Sequence, residues 1–386
     1  MKQKYISKRY WSDIPVLMGE NVDKAKEYDD LINLCLGDPD LTTDERIIKA
    51  AFEDVLKGHT HYTDVLGYPE LREEICNYYQ EEYNYNVNIS ECMVTTSACH
   101  AMWLVLEAIL DDGDEVIIPG PYFAPYPQQV KLTRGKPVVL ETYEEDGFQI
   151  NLDKLKETIT DKTKVLIVNT PNNPTGACYS KEMLEGIAHV ANEHDLLIIA
   201  DDIYTIFTYD EPFIPITTLE DMKDRTITIC SFSKDYCMTG WRIGYVLAPE
   251  NIINTMKDIN ENSVFTAPSP SQRAALHGLK MRKEIQLSIV EEYKKRVYYA
   301  YERINKINNM SVLRPKGSLY LFVNIKETGL TSAQVTDKIL EQVHVLVIPG
   351  NAFGDCGEGY LRLALTVGMD KLKEVFDRLE KMNIFS

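Results

Sequence analysis

Ser231-Phe232-Ser233-Lys234, running on through Met238 and Gly240 to Trp241-Arg242-Ile243-Gly244, is the stretch that decides the reading of this chain. An apolar, β-rich run from Thr226 to Cys230 enters it, and a second run, Ile243 to Ala248, leaves it. The pattern predicts two strands with Lys234 in the loop between them, not on a solvated helix face. A surface lysine beside a turn is the commonplace alternative, because lysine is almost never buried without a partner. Ser231 and Arg242, however, bring a hydroxyl and a planar cationic fork to the same connection, a pair suited to a phosphate. An ordinary lysine, with a pKa of about 10.4, is protonated and inert at neutral pH, so a nucleophilic one needs desolvation or a cationic neighbour. Arg242 and an enclosed loop are the features of this stretch that could supply both.

At 386 residues the chain exceeds one typical core, and about 150 residues per domain suggests two or three. Its formal net charge of -18 argues against a general nucleic-acid binder, which needs a basic stripe to neutralise phosphates. The eight cysteines (Cys35, Cys76, Cys92, Cys99, Cys178, Cys230, Cys237, Cys356) show no C-x-x-C pair and no zinc spacing, which favours free thiols in a reducing compartment. The start, MKQKYISKRYW, is charged without an apolar h-region, and no apolar run reaches a membrane-spanning length. The expectation is a cytoplasmic protein with no membrane partner and no metal.

Read in order, the chain alternates short apolar runs with helical periodicity. Trp11, Ile14, Val16, Leu17 and Met18 form an isolated apolar cluster that suggests a docking arm. Ile32 to Leu36 reads as a strand ending in the turn Gly37-Asp38-Pro39-Asp40, and Asp44 to Lys57 as a helix capped by Thr43 or Asp44. His59 and His61 suit a solvated loop better than a metal, since no third ligand follows. Leu71 to Glu82 reads as a helix. Cys92 to Thr95 reads as a strand and Ala98 to Leu110 as a helix, which sets Ser97, Ala98 and Cys99 at a helix amino terminus, where free N–H groups favour an anion.

Val116 to Ile118 leads into the aromatic loop Pro119-Gly120-Pro121-Tyr122-Phe123-Ala124-Pro125-Tyr126, whose rings suit either core packing or stacking on a flat ligand. Lys164 to Val168 ends in Asn169-Thr170-Pro171-Asn172-Asn173-Pro174-Thr175-Gly176. Leu196 to Ala200 ends in Asp201-Asp202-Ile203-Tyr204, and two acids after a buried strand need a cation or other partner. Glu284 to Asn305 reads as a long helix. Leu319 to Ile325, His344 to Ile348 and Tyr360 to Leu365 read as strands, with a helix from Ser332 to Gln342, together suggesting a smaller α/β lobe. In a mostly parallel sheet the carboxyl ends of strands share one edge, so Ser97, Phe123, Asn173, Asp201 and Ser231 converge on one crevice.

The pattern S-x-S-K-x-x-x-x-x-G-W-R-x-G resembles the cofactor-lysine signature of the class I/II aminotransferases, the fold-type I pyridoxal 5'-phosphate enzymes, and the similarity runs from about Gly37 to Arg362. The resemblance implies an α/β fold. Its large domain, 45–283, has a mostly parallel seven-stranded sheet between helices, and a smaller α/β domain, 284–386, is joined by an arm and part of the small domain in 1–44. It implies that Lys234 holds the cofactor as an imine while Ser231, Arg242 and the backbone at Ser97, Ala98 and Cys99 bind its phosphate. Relatives often carry glycine where Ser97 stands, so that contact requires the backbone there to tolerate a side chain.

It further implies that Phe123 stacks on the ring, Asp201 meets the pyridinium nitrogen, and Tyr204 and Asn173 meet the ring oxygen. Gly37, Asn173 and Arg362 bind the substrate carboxylate. Gly350-Asn351-Ala352-Phe353-Gly354 followed by Arg362 carries that last part of the likeness, and Asp202 is left as a structural contact. Tyr62 in its Y-x-x-x-x-G-x-x-x-L-R setting implies a homodimer in which this residue reaches the partner's phosphate.

The implied activity is transamination from an L-amino acid to a 2-oxo acid. A C–S β-lyase, an aminocyclopropane carboxylate synthase-like enzyme or a decarboxylase would share Lys234, Asp201 and Arg242. A transcription regulator with an aminotransferase-like sensor would carry a DNA-binding module, and the roughly 36 residues before Gly37 are too few for one with a linker. A non-enzymatic scaffold leaves the constellation unexplained. The donor amino acid is not legible.

Overall fold

The computed structural model describes residues 26–385 together with Tyr5 and Ser7; the apolar cluster Trp11 to Met18 lies outside the described residues. Twelve strands are present among those described: β1 (Ile32–Asn33), β2 (Cys92–Thr95), β3 (Glu115–Gly120), β4 (Lys136–Glu141), β5 (Thr163–Asn169), β6 (Leu197–Asp201), β7 (Thr226–Ser231), β8 (Gly244–Leu247), β9 (Tyr320–Asn324), β10 (Val345–Leu346), β11 (Ile348–Pro349) and β12 (Tyr360–Ala364).

Seven form the central sheet, in the order β2-β8-β7-β6-β5-β3-β4. Only β8 runs against its neighbours β2 and β7; the other pairs are parallel. The largely apolar character of the inner strands follows from burial on both faces, whereas the edge strand β4, exposed at Lys136, Val139 and Glu141, was not expected from the sequence. Within β6, Ile199 joins the core containing Ala101, Val105, Ile229 and Val246, while Ile198 and Ala200 join the opposite core with Leu184, Ile187 and Leu166. Helix Ser97–Ile109 belongs to the first face and helix Lys181–Glu193 to the second.

Beyond this sheet, the 23-residue helix Arg282–Ile304 extends about 35 Å by its rise per residue. It leads to the antiparallel sheet β11-β12-β9. Near the start of the chain, β1 pairs in parallel with β10, Ile32 opposite Val345. Among the described residues no helix is long and apolar enough to cross a membrane.

Three local expectations change. His344 to Ile348 is not one strand, because Val345–Leu346 pairs with β1 whereas Ile348–Pro349 pairs with β12, and the chain switches partner at Val347. The expected strand Ile32 to Leu36 keeps only its first two residues, the length that β10 pairs. Lys234 lies not in an open loop but in a single helical turn, Phe232–Asp235, capped by Ser231, whose side chain accepts from Ser233 N–H.

Candidate active site

The carboxyl ends of β2, β3, β5, β6 and β7 open on one cavity of about 360 Å³. Its walls include the whole run Ser97, Ala98 and Cys99, then Phe123 and Asn173, and from later in the chain Tyr204, Ser231, Lys234 and Arg242. Gly37 and Arg362 close it from the other side. Of the residues expected from the sequence, Asp201 and Tyr62 stand outside this wall.

Asp201 lies at the end of β6, fully buried. Tyr126 Oη donates to its Oδ2, and Asn169 Nδ2 donates to its backbone oxygen at 2.9 Å. Its Oδ1 has no partner. Burial pushes the carboxyl up to about 6, against the opposing pull of the Tyr126 hydrogen bond. Asp201 is nonetheless close to the cavity. The Cys99 thiol, raised mainly by burial, feels Asp201 as a further raising charge and Arg242 and Lys234 as lowering ones.

Lys234 Nζ donates to the Gly37 carbonyl. A side chain at position 37 would require the Tyr320 ring to shift, since a Cβ there would stand 1.8 Å from Tyr320 Oη. Tyr320 Oη in turn lies 3.0 Å from Tyr204 Oη. One part of the cavity wall brings together Ser231, Arg242 and the first turn of helix Ser97–Ile109. Ser97 takes the left-handed conformation, φ +73°, so a side chain does occupy the position where a glycine would be unstrained. Gly244 allows this helix start to approach β8, for a Cβ there would be 2.7 Å from Cys230 O and 3.0 Å from Ala98 N.

Arg362, on β12, is buried with a fork that is only partly engaged. Nη1 donates to Asn173 Oδ1 at 3.2 Å, Nη2 donates to Cys35 O, and Nε has no partner. The guanidinium carbon lies 4.7 Å from the centroid of the Tyr320 ring and 5.0 Å from that of Phe353. Tyr62 is 83% exposed, its ring set at 84° to that of Phe265 with centroids 5.0 Å apart.

Sequence reading missed Tyr126, Asn169 and Tyr320. Tyr126 stood in the aromatic loop and Asn169 opened the N-T-P-N-N-P run, so each was visible as a residue. Their partners, Asp201 and Gly37, are distant in the chain and not visible as such.

The sequence matches the family described as aminotransferase class I and II over residues 29–379. An aspartate aminotransferase of Pyrococcus abyssi is 41% identical over 366 residues, covering 93% of each chain. Aromatic-amino-acid aminotransferase 2 of Thermococcus litoralis is 38% identical over 364 residues, again 93% of each. The solved structure of aspartate aminotransferase from Thermus thermophilus with maleate matches with a TM-score of 0.93 at 31% identity, over 98% of this chain and 100% of that one.

Proposed function

The chain belongs to the class I and II aminotransferases, a family that generally uses pyridoxal 5'-phosphate, and from that premise we propose how its own residues carry out transamination. The enzyme moves an amino group from an L-amino acid to a 2-oxo acid in two half-reactions. The relatives' names are those of transaminases, so the β-lyase alternative is not carried forward.

The donor set fits pyridoxal 5'-phosphate. A phosphate matches Ser231, Arg242 and the free N–H groups opening helix Ser97–Ile109. A ring nitrogen bearing a proton matches the unpartnered Asp201 Oδ1, and this orphaned buried oxygen is the observation that carries the proposal. Bound there, the cofactor supplies an electron-withdrawing ring that stabilises negative charge at the substrate α-carbon.

Lys234 would hold the cofactor through Nζ, and the same nitrogen, when free of that bond, would take the substrate's α-proton. Asp201 would hold the proton on the ring nitrogen, Phe123 would lie against the ring, and Tyr204 and Asn173 would meet its oxygen. Arg362 grips the substrate carboxylate beside Asn173 and the Gly37 backbone, which fixes the α-hydrogen near Lys234.

The working unit we propose is a cytoplasmic homodimer in which the exposed Tyr62 of one copy reaches the phosphate held by the other. The chain divides into an arm and part of the small domain in 1–44, a cofactor-binding domain in 45–283 and the small domain in 284–386. The activity is tested by incubating the yellow holoenzyme with single L-amino acids and 2-oxoglutarate. Stoichiometric glutamate and a new 2-oxo acid are expected; release of ammonia without glutamate would contradict the proposal.

A further inference from the structure

Behind the Lys234 turn lies a second, narrow space of about 10 Å³, at the lower bound of the volume that one water needs. Ser231 borders both this chamber and the main cavity. Asp202 and Asp235, each the next residue after Asp201 and Lys234, both line it. Strand alternation turns Asp202 to the opposite face from Asp201. Both side chains are buried, and Asp202 Oδ2 and Asp235 Oδ1 have no hydrogen-bond partner. The other Asp235 oxygen accepts from Thr205 Oγ1 at 3.2 Å.

The remaining walls offer hydroxyl, thiol and amide groups but no cation: Tyr78, Cys230, Tyr236, Tyr245 and Gln286. Lys234 Nζ is turned to Gly37, and Arg282, over the Tyr78 ring, pairs with Glu81 and Glu82. Asp201 only adds negative charge beside Asp202. Among the described residues no group of three metal-ligating side chains exists to discharge the pair. A buried carboxyl without a counter-charge takes a proton. Burial drives both groups well above the ordinary carboxylate range.

We propose that Asp202 and Asp235 are positioning residues that work as neutral acids, their proton-bearing carboxyls holding one trapped water behind Ser231. That water ties the end of β6 to the turn carrying Lys234. The neutral state matters because two carboxylates behind Ser231 would repel a phosphate bound on its other side. This inference rests on the reading of Lys234 and Ser231 as cofactor residues.

Infrared spectroscopy of the holoenzyme at neutral pH tests it. Wild type should show carbonyl bands of protonated carboxyl groups, with one such band missing in Asp202→Asn and one in Asp235→Asn. Loss of ionised carboxylate bands instead would overturn the proposal. Kinetics give the second readout: Asp235→Leu should lose about tenfold in kcat with KM for the donor little changed, and Asp235→Asn should restore it. Equal activity of the leucine variant, or tighter cofactor binding in the asparagine variants, also overturns it. Should Asp235→Leu fail to fold, the infrared bands and the two asparagine variants still decide. A protein that keeps the infrared bands but shows no visible cofactor absorbance would instead contradict the reading of the main site.

Discussion

Tyr126 Oη donates a hydrogen bond to Asp201 Oδ2 and leaves Oδ1 of the same buried carboxyl unpartnered. The bond favours the ionised carboxylate while burial opposes it, and the balance lies at about 6. Tyr126→Phe removes the favourable part. The acid limb of the pH profile of kcat/KM should therefore move upward by about one to two units, since a hydrogen bond to a charged group is worth about 1.5 to 3 kcal/mol. An unmoved limb would show that Asp201 does not set it.

Asp201 also makes a prediction for the cofactor-free protein. Its folded pKa, about 6, stands above the ordinary 3.8. The folded state therefore gains from this group below about pH 4, where it is protonated in both states, and loses that gain as pH rises through about 6. Asp201→Asn abolishes the dependence, so above pH 6 the cofactor-free variant should exceed wild type by up to about 3 kcal/mol. Urea denaturation at about pH 5 and about pH 8 measures the difference, which should be larger at the higher pH. Turnover, by contrast, should be lost.

Arg362→Lys keeps a cation but not the planar fork that meets Asn173 and leaves Nε free. For every α-amino donor kcat/KM should fall, by about a hundredfold. A fall confined to donors with acidic side chains would move Arg362 from the α-carboxylate to a side-chain pocket.

At Gly37 the conflict is steric. A Cβ 1.8 Å from Tyr320 Oη must displace that ring and its contact with Tyr204, so Gly37→Ala should destabilise by about 1 to 3 kcal/mol and raise KM for the donor. Tyr320→Phe in the same chain should return part of the lost melting temperature. Strict additivity of the two changes would argue that the residues do not meet.

Six of the seven sheet strands were legible because their buried residues read as short apolar runs, Cys92–Thr95 to the residue, whereas the edge strand Lys136–Glu141, exposed at Lys136, Val139 and Glu141, was not read from the sequence. Ser97, Phe123, Asn173 and Ser231, which line the cavity, were legible because they follow those runs closely. Contacts made across the fold were not, and for that reason Tyr126 with Asp201 and Tyr320 with Gly37 escaped. Backbone detail escaped too. Nothing in Ser97 announces a φ of +73°, and the switch of partner at Val347 depends on which strand lies alongside.

The shared-site proposal turns on Tyr62, exposed beside Phe265. Mixing Tyr62→Ala with Lys234→Ala under subunit exchange should yield heterodimers with one doubly damaged and one intact site, and activity should return. Heterodimers that form but stay inactive would place Tyr62 in its own copy's site or in none.

The most direct measurement of the central claim is reductive trapping of the yellow holoenzyme with borohydride, followed by peptide mapping. The account predicts that the visible band collapses and that the cofactor mass appears on the peptide containing Lys234, and that Lys234→Ala takes no label. Label on any other lysine, or full labelling of Lys234→Ala, would contradict it.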